Sequence, residues 1–184
     1  MGFNTYGAAS YYYKEKKPYA FQLWFLKSYA KYLNLSTTTY DYYNDFFEPI
    51  FYPGWPNFCK EYMSTRLYLT EDPYNIGYYP DNELPYYKLS LGEALKRPGH
   101  VLNATYKWIK DNNVMNTTTV YNGTTYFKFS TNDNQKFQKY CIDLYWKPVY
   151  EAIRGVDKKH MILGTKYASY NQYIWNTIGN WVDV

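Results

Sequence analysis

The chain has 184 residues, a formal net charge of +4, 27 tyrosines and an aromatic share of 23%, against only two histidines and two cysteines. That length suits one domain with a sizeable core, while three arginines among 20 basic residues argue against the bidentate forks that read bases or phosphates. No apolar stretch in the first 20 residues suits a signal peptide, and no run approaches a membrane span.

Residues 1–17 show no clean period and are predicted to form an extended arm. Tyr11, Tyr12 and Tyr13 lie there beside Lys14, Lys16 and Lys17, a mixture able to follow a nucleic-acid backbone nonspecifically. Pro18 suits the first position of a helix continuing through Leu33 and ended by Asn34. Ser36 to Thr39 offer caps for a short helix through about Phe47, stopped by Pro49. Pro56 then opens a helix to about Tyr68, and residues 69–88, punctuated by prolines, read as a long surface loop.

Ser90-Leu-Gly-Glu93 is a capping-box pattern. A helix from about His100 to Asp111 follows, and Asn122-Gly123 between Thr-rich, aromatic runs predicts a β-hairpin spanning about 114–129. Asn132 or Asp133 is expected to cap a long helix kinked by Pro148 and ended by Gly155. A last helix is expected from about Thr165 to Ile178. The fold class is therefore mainly α: an irregular bundle of about six helices with one inserted hairpin and long extended arm and loops. Its domains are the 1–17 arm and a single 18–184 body.

No phosphate-cradling, dinucleotide or nucleophile-elbow motif occurs, and His100 and His160 lack metal-ligand spacing. Cys59–His160 and Cys141–His100 dyads can be drawn, but both cysteines fall in helical patterns as small hydrophobes. No catalytic, cofactor-binding or metal-binding residue is assigned. Carboxylates offer an alternative, because glycosidases work with two of them beside aromatic platforms. Asp41, Asp45 and Glu48 share a helical face, while Glu71-Asp72 and Asp81/Glu83 flank the Tyr-rich loop near Trp55 or Tyr78-Tyr79.

Tyr and Trp rings join apolar area to a polar tip, which favours surfaces buried by association. The helical segments, the hairpin before the longest helix and the terminal arm form a layout that resembles bacteriophage virion proteins of the head–tail connector, collar or tail-ring kind. That resemblance implies a non-enzymatic homo-oligomeric ring bound to other structural proteins, in the virion after assembly in the host cytoplasm, without cofactor or membrane. The expected contacts are Tyr11, Tyr12, Tyr13, Lys14, Lys16, Lys17, Tyr78, Tyr79, Tyr86, Tyr87, Tyr121, Tyr126, Phe127 and Phe129. The alternatives are a carbohydrate-binding or glycan-hydrolysing module with aromatic platforms, and a single-stranded nucleic-acid binder.

Overall fold

Pro18 leads into a strand, not a helix. The computed structural model describes residues 16–35, 47–121, 124–165 and 171–184, the side chains of 119–125 excepted; the predicted arm through Glu15 and the 36–46 helix lie outside these. Strand β1 (Tyr19–Gln22) pairs in parallel with β2 (Asn75–Tyr79), and β2 pairs in parallel with the short β5 (Met161–Ile162). The sheet order β1-β2-β5 adds each strand on the same side. Parallel neighbours need long crossovers, and the helices supply them.

Six α-helices occupy the described residues: α1 (Phe25–Tyr32), α2 (Trp55–Ser64), α3 (Leu91–Ala94), α4 (His100–Asp111), α5 (Thr131–Val156) and α6 (Gln172–Ile178). The expected hairpin is present as β3 (Thr117–Tyr121) and β4 (Thr124–Lys128), with Tyr121 opposite Thr124. The chain is thus rich in helix, as its periodicity indicates, and carries a parallel sheet that the periodicity does not reveal. Two segments change identity. The first turn of the expected 18–33 helix is β1 (Tyr19–Gln22), and the middle of the expected 69–88 loop is β2.

Paired residues of a parallel ladder share a face. Phe21, Tyr78 and Ile162 face the helical layer, where Tyr78 and Ile162 are fully buried. Gln22 and Tyr79 lie on the opposite face. Between β2 and β5 the backbones approach so closely that a Cβ on Gly77 would stand 2.5 Å from the Met161 carbonyl oxygen. Only glycine fits there.

Local chemistry sets the helix ends. Ser90 accepts a hydrogen bond from the Glu93 N–H at 3.3 Å, completing the predicted cap of α3. The cap of α5 is Ser130, two residues before the expected Asn132, and its Oγ accepts from the Asp133 N–H at 3.0 Å. Pro148 sits inside α5 and has no N–H for the carbonyl of Leu144. The indole Nε1 of Trp55 donates to that carbonyl at 3.0 Å, so α2 supplies from outside what the proline withholds. α2 packs along α5, with the Trp55 and Tyr145 rings stacked at 5.9 Å.

Tyrosine hydroxyls tie these layers together. Tyr78 donates to Asp157 Oδ2 at 2.5 Å, and Tyr145 to Asp81 Oδ2 at 2.7 Å. Tyr86 lies buried, accepting from the Trp146 indole at 3.0 Å. The expectation that Tyr78 and Tyr86 are contact residues is therefore corrected: their rings fill the core and their hydroxyls find partners inside it. Much of the aromatic excess is internal.

Before β5, Asp157 also accepts from the backbone N–H of Lys159 at 2.9 Å and of His160 at 3.1 Å, and its Oδ2 lies 2.7 Å from His160 Nδ1. Burial opposes its ionisation, but the hydrogen bonds from Tyr78, His160 and Lys159 outweigh that and hold its pKa down at about 2, against 3.8 ordinarily. A depressed folded pKa contributes stability that is complete above the unfolded value and is lost as pH falls through the folded one. Relative to Asp157→Asn, the wild type is expected to lose about 2 kcal/mol of unfolding free energy between roughly pH 5 and pH 2. Urea titrations across that range check it, and parallel pH profiles for the two proteins would contradict it.

The outer edge of β5 is closed by the chain itself. Asp183 N–H donates to the Ile162 carbonyl at 3.0 Å, and its carboxylate accepts from the Ile162 N–H at 2.6 Å and from Arg154. An exposed strand edge is thereby covered.

Candidate functional site

In parallel βα architectures, ligands meet the carboxyl ends of the strands, where the following turns converge. Here that edge comprises Gln22 at the end of β1 with Leu23 and Trp24 after it, Pro80 to Glu83 after β2, and Leu163 to Thr165 after β5. The first two turns are tied together: Leu23 N–H donates to the Tyr79 carbonyl at 2.9 Å, and Phe25 N–H to the Pro80 carbonyl at 3.1 Å.

Strand β1 must become helix α1 within two residues, and Trp24 absorbs the turn in the left-handed region at φ 62°. Glu83 does the same after β2 at φ 48°. Each such non-glycine residue costs roughly 1–2 kcal/mol, and strain of this kind gathers at functional sites. Trp24 is half-buried, with the Lys27 ammonium 4.9 Å from its ring centroid. Glu83 is exposed. Gln22, the last residue of β1, lies at the same edge; its buried Nε2 has no hydrogen-bond partner among the described residues.

Asp81 has a different job. Its Oδ2 accepts from the Leu26 N–H at 3.0 Å as well as from the Tyr145 hydroxyl. Trp24, the residue at the N-cap of α1, provides no side-chain cap, so a carboxylate from the turn after β2 does so, at the favourable end of the helix dipole. Asp81 is fully buried. Of the Asp81/Glu83 pair singled out in the sequence, only Glu83 offers a carboxylate to solvent at this edge.

The remaining sequence candidates disperse. Glu71 and Asp72 precede β2, at the opposite end of that strand, where Asp72 accepts from Tyr19 Oη at 2.7 Å and the Tyr74 N–H at 2.9 Å as a turn former. Glu48 accepts from Tyr52 Oη at 3.3 Å; Asp41 and Asp45 lie outside the described residues, as do Tyr11, Tyr12, Tyr13 and Lys14. Trp55 is buried and cannot present a ring face. Neither thiol–imidazole dyad forms: His160 is engaged by Asp157, and the His100 ring packs tilted against Tyr52, centroids 4.3 Å apart. Burial pushes both Cys59 and Cys141 thiols well up, leaving them inert. Among the described residues no cluster of His, Cys, Asp and Glu could hold a metal ion.

Of the expected contact residues, Lys16, Lys17, Tyr87 and Tyr126 are exposed and Tyr79 is half-buried on the sheet. Phe127 and Phe129 stack at 6.5 Å on the hairpin. The side chain of Tyr121 lies outside the described set.

Neither a scan against models of protein families nor a comparison with curated proteins finds a match for the chain. Solved structures do match. A crystal structure of BpGH50 is 20% identical with a TM-score of 0.73, covering 99% of this chain and 43% of that one. An exo-β-agarase is 15% identical at a TM-score of 0.67, and an agarase, AgWH50C, 13% identical at 0.64; each covers 99% of this chain and 28% of its own. The chain thus spans less than half the length of these proteins, and at such identities the likeness is one of fold.

That likeness overturns the virion reading. The chain's fold matches, along nearly its whole length, part of BpGH50 and of two agarases, and none of these has a phage connection. The expectation of a non-enzymatic ring or connector subunit is corrected accordingly. A helical body with a hairpin is a layout shared by unrelated architectures. What separated them was the parallel sheet, which sequence periodicity did not expose.

Sequence reasoning also missed Gln22 and Trp24, which sit in what reads as the interior of an all-round apolar helix. Tyr-Ala-Phe-Gln shows no strand-like alternation, and its burial does not alternate either, so no periodic signal marked it as a strand.

Proposed function

We infer that this chain engages carbohydrate, a neutral agarose-type galactan, at the carboxyl edge of its parallel sheet. The observation that carries this reading is the strained Trp24–Glu83 edge of a sheet whose fold the agarase structures share over 99% of the chain. A half-buried indole presents an apolar face to a sugar ring. The Gln22 amide supplies an unused donor for a hydroxyl, and Glu83 an exposed carboxylate.

Glycoside hydrolysis takes two carboxylates roughly 5–9.5 Å apart. Glu83 is suited to be one, and Asp81 is withdrawn from the second role by its cap on α1. Recognition is therefore assigned to the described edge, with Glu83 as its candidate general acid once a second carboxylate is supplied. Trp24→Ala is expected to weaken binding of an agarose-derived hexasaccharide at least about tenfold, or roughly 1.4 kcal/mol, by isothermal titration calorimetry. Glu83→Gln, of similar shape, is expected to keep the affinity within about threefold. Equal affinity in the wild type and Trp24→Ala would contradict the assignment.

A further inference from the structure

A second concavity lies in the helical layer. It is an open cleft of about 500 Å³ between the Glu48–Phe51 turn with the start of α2 and one stripe of α5. Phe51, Tyr52 and Tyr140 give it aromatic walls, Pro148 lies along its side, and Lys147 and Glu151 stand at its rim. This size falls within the rough 300–1,000 Å³ range of ligand clefts.

The walls are fixed before any ligand arrives. The Tyr52 ring packs at a tilt against His100 and its hydroxyl is bonded to Glu48. Trp55, which also lines the cleft, is held by its indole bond to Leu144. Preformed walls lower the ordering cost of binding.

Charge selects the occupant. Asp143, also in the lining, is engaged by Lys139 and by the Trp181 indole. Lys147 and Glu151 are exposed, opposite in charge and one helical turn apart. The cleft therefore offers no net charge to attract an ionic ligand, while its rim can donate to and accept from hydroxyls. Aromatic walls with such a rim suit a ring that has one apolar face and a polar edge. We propose that this cleft is a second saccharide-binding site, taking a segment of the same neutral glycan chain as an anchor separate from the sheet edge. It rests on the carbohydrate reading above but uses none of the same residues.

Two tryptophan indoles separate the two sites, Trp55 in the cleft and Trp24 at the edge. In a ¹⁵N-labelled chain titrated with the agarose-derived hexasaccharide, the Trp55 indole and the Lys147 and Glu151 amides are expected to shift saturably. They shift equally in Trp24→Ala. Tyr52→Ala is expected to raise the cleft's dissociation constant about tenfold or more. Ala104→Trp, which fills the cleft without removing a wall, is expected to abolish its response, and it decides the matter if Tyr52→Ala fails to fold. Shifts at Trp55 without shifts at Trp24 would uphold the cleft and overturn the edge. Shifts confined to Trp24 would overturn the cleft alone, as would cleft shifts with a charged oligogalacturonate but none with the neutral sugar. No shift at either indole overturns both.

Discussion

Asp81→Ala is expected to cost the fold roughly 2–5 kcal/mol, the largest single loss outside the packed core. Two donors, the Leu26 N–H and the Tyr145 hydroxyl, would be left buried without their acceptor, at roughly 1–3 kcal/mol each. The first belongs to the opening turn of α1, whose N-cap residue Trp24 is left-handed and offers no side-chain cap. The second anchors the middle of α5. Asp81→Asn keeps one carbonyl oxygen as acceptor and is expected to cost less, about 1–2 kcal/mol. Urea unfolding measures both, and amide exchange at Leu26 should accelerate more than exchange elsewhere in α1. An Asp81→Ala stability within about 0.5 kcal/mol of wild type would show that the carboxylate is not what holds these segments together.

Trp55→Phe comes next. It removes the indole donor to the Leu144 carbonyl and leaves a small cavity against Tyr145, for a loss of roughly 2–4 kcal/mol. The cause can be isolated with Pro148→Ala, which returns an N–H to position 148 and lets α5 satisfy Leu144 internally. In that background Trp55→Phe is expected to cost about 1 kcal/mol less than in the wild type, a coupling read from the double-mutant cycle. Additive losses would mean that the indole acts through packing alone.

These two sites explain what the sequence discloses and what it withholds. The capping box at Ser90, the His100–Asp111 helix and the Asn-Gly hairpin depend on residues a few positions apart, and each is observed where its local chemistry places it. Pro148 announces a broken hydrogen bond, yet nothing near it names Trp55, whose backbone is 93 positions away in the sequence. Strand β1 has four residues, mostly apolar, and lies just before a helix, so it merges with the apolar pattern that follows. Strand β2 sits among prolines that read as loop, and its pairing with β1 and β5 is wholly nonlocal.

The site divides in the same way. Asp81 and Glu83 were legible as a carboxylate pair with aromatic neighbours, but not their separation into a buried cap and an exposed acid, because that depends on where α1 begins. Trp24 was invisible as a functional residue for the same reason. Tyrosine abundance signalled large amphipathic surfaces, and the fold places much of it inward, with Tyr19, Tyr78 and Tyr145 each bonded to a carboxylate.

A crystal of the chain soaked in agarose-derived hexasaccharide gives the most direct view of the assignment. The expected map shows a sugar ring lying over the Trp24 indole with a hydroxyl or glycosidic oxygen in hydrogen-bond reach of Glu83. Sugar bound instead at the amino-terminal ends of the strands, beside Asp72 and Asp157, with the Trp24–Glu83 edge empty, would contradict it.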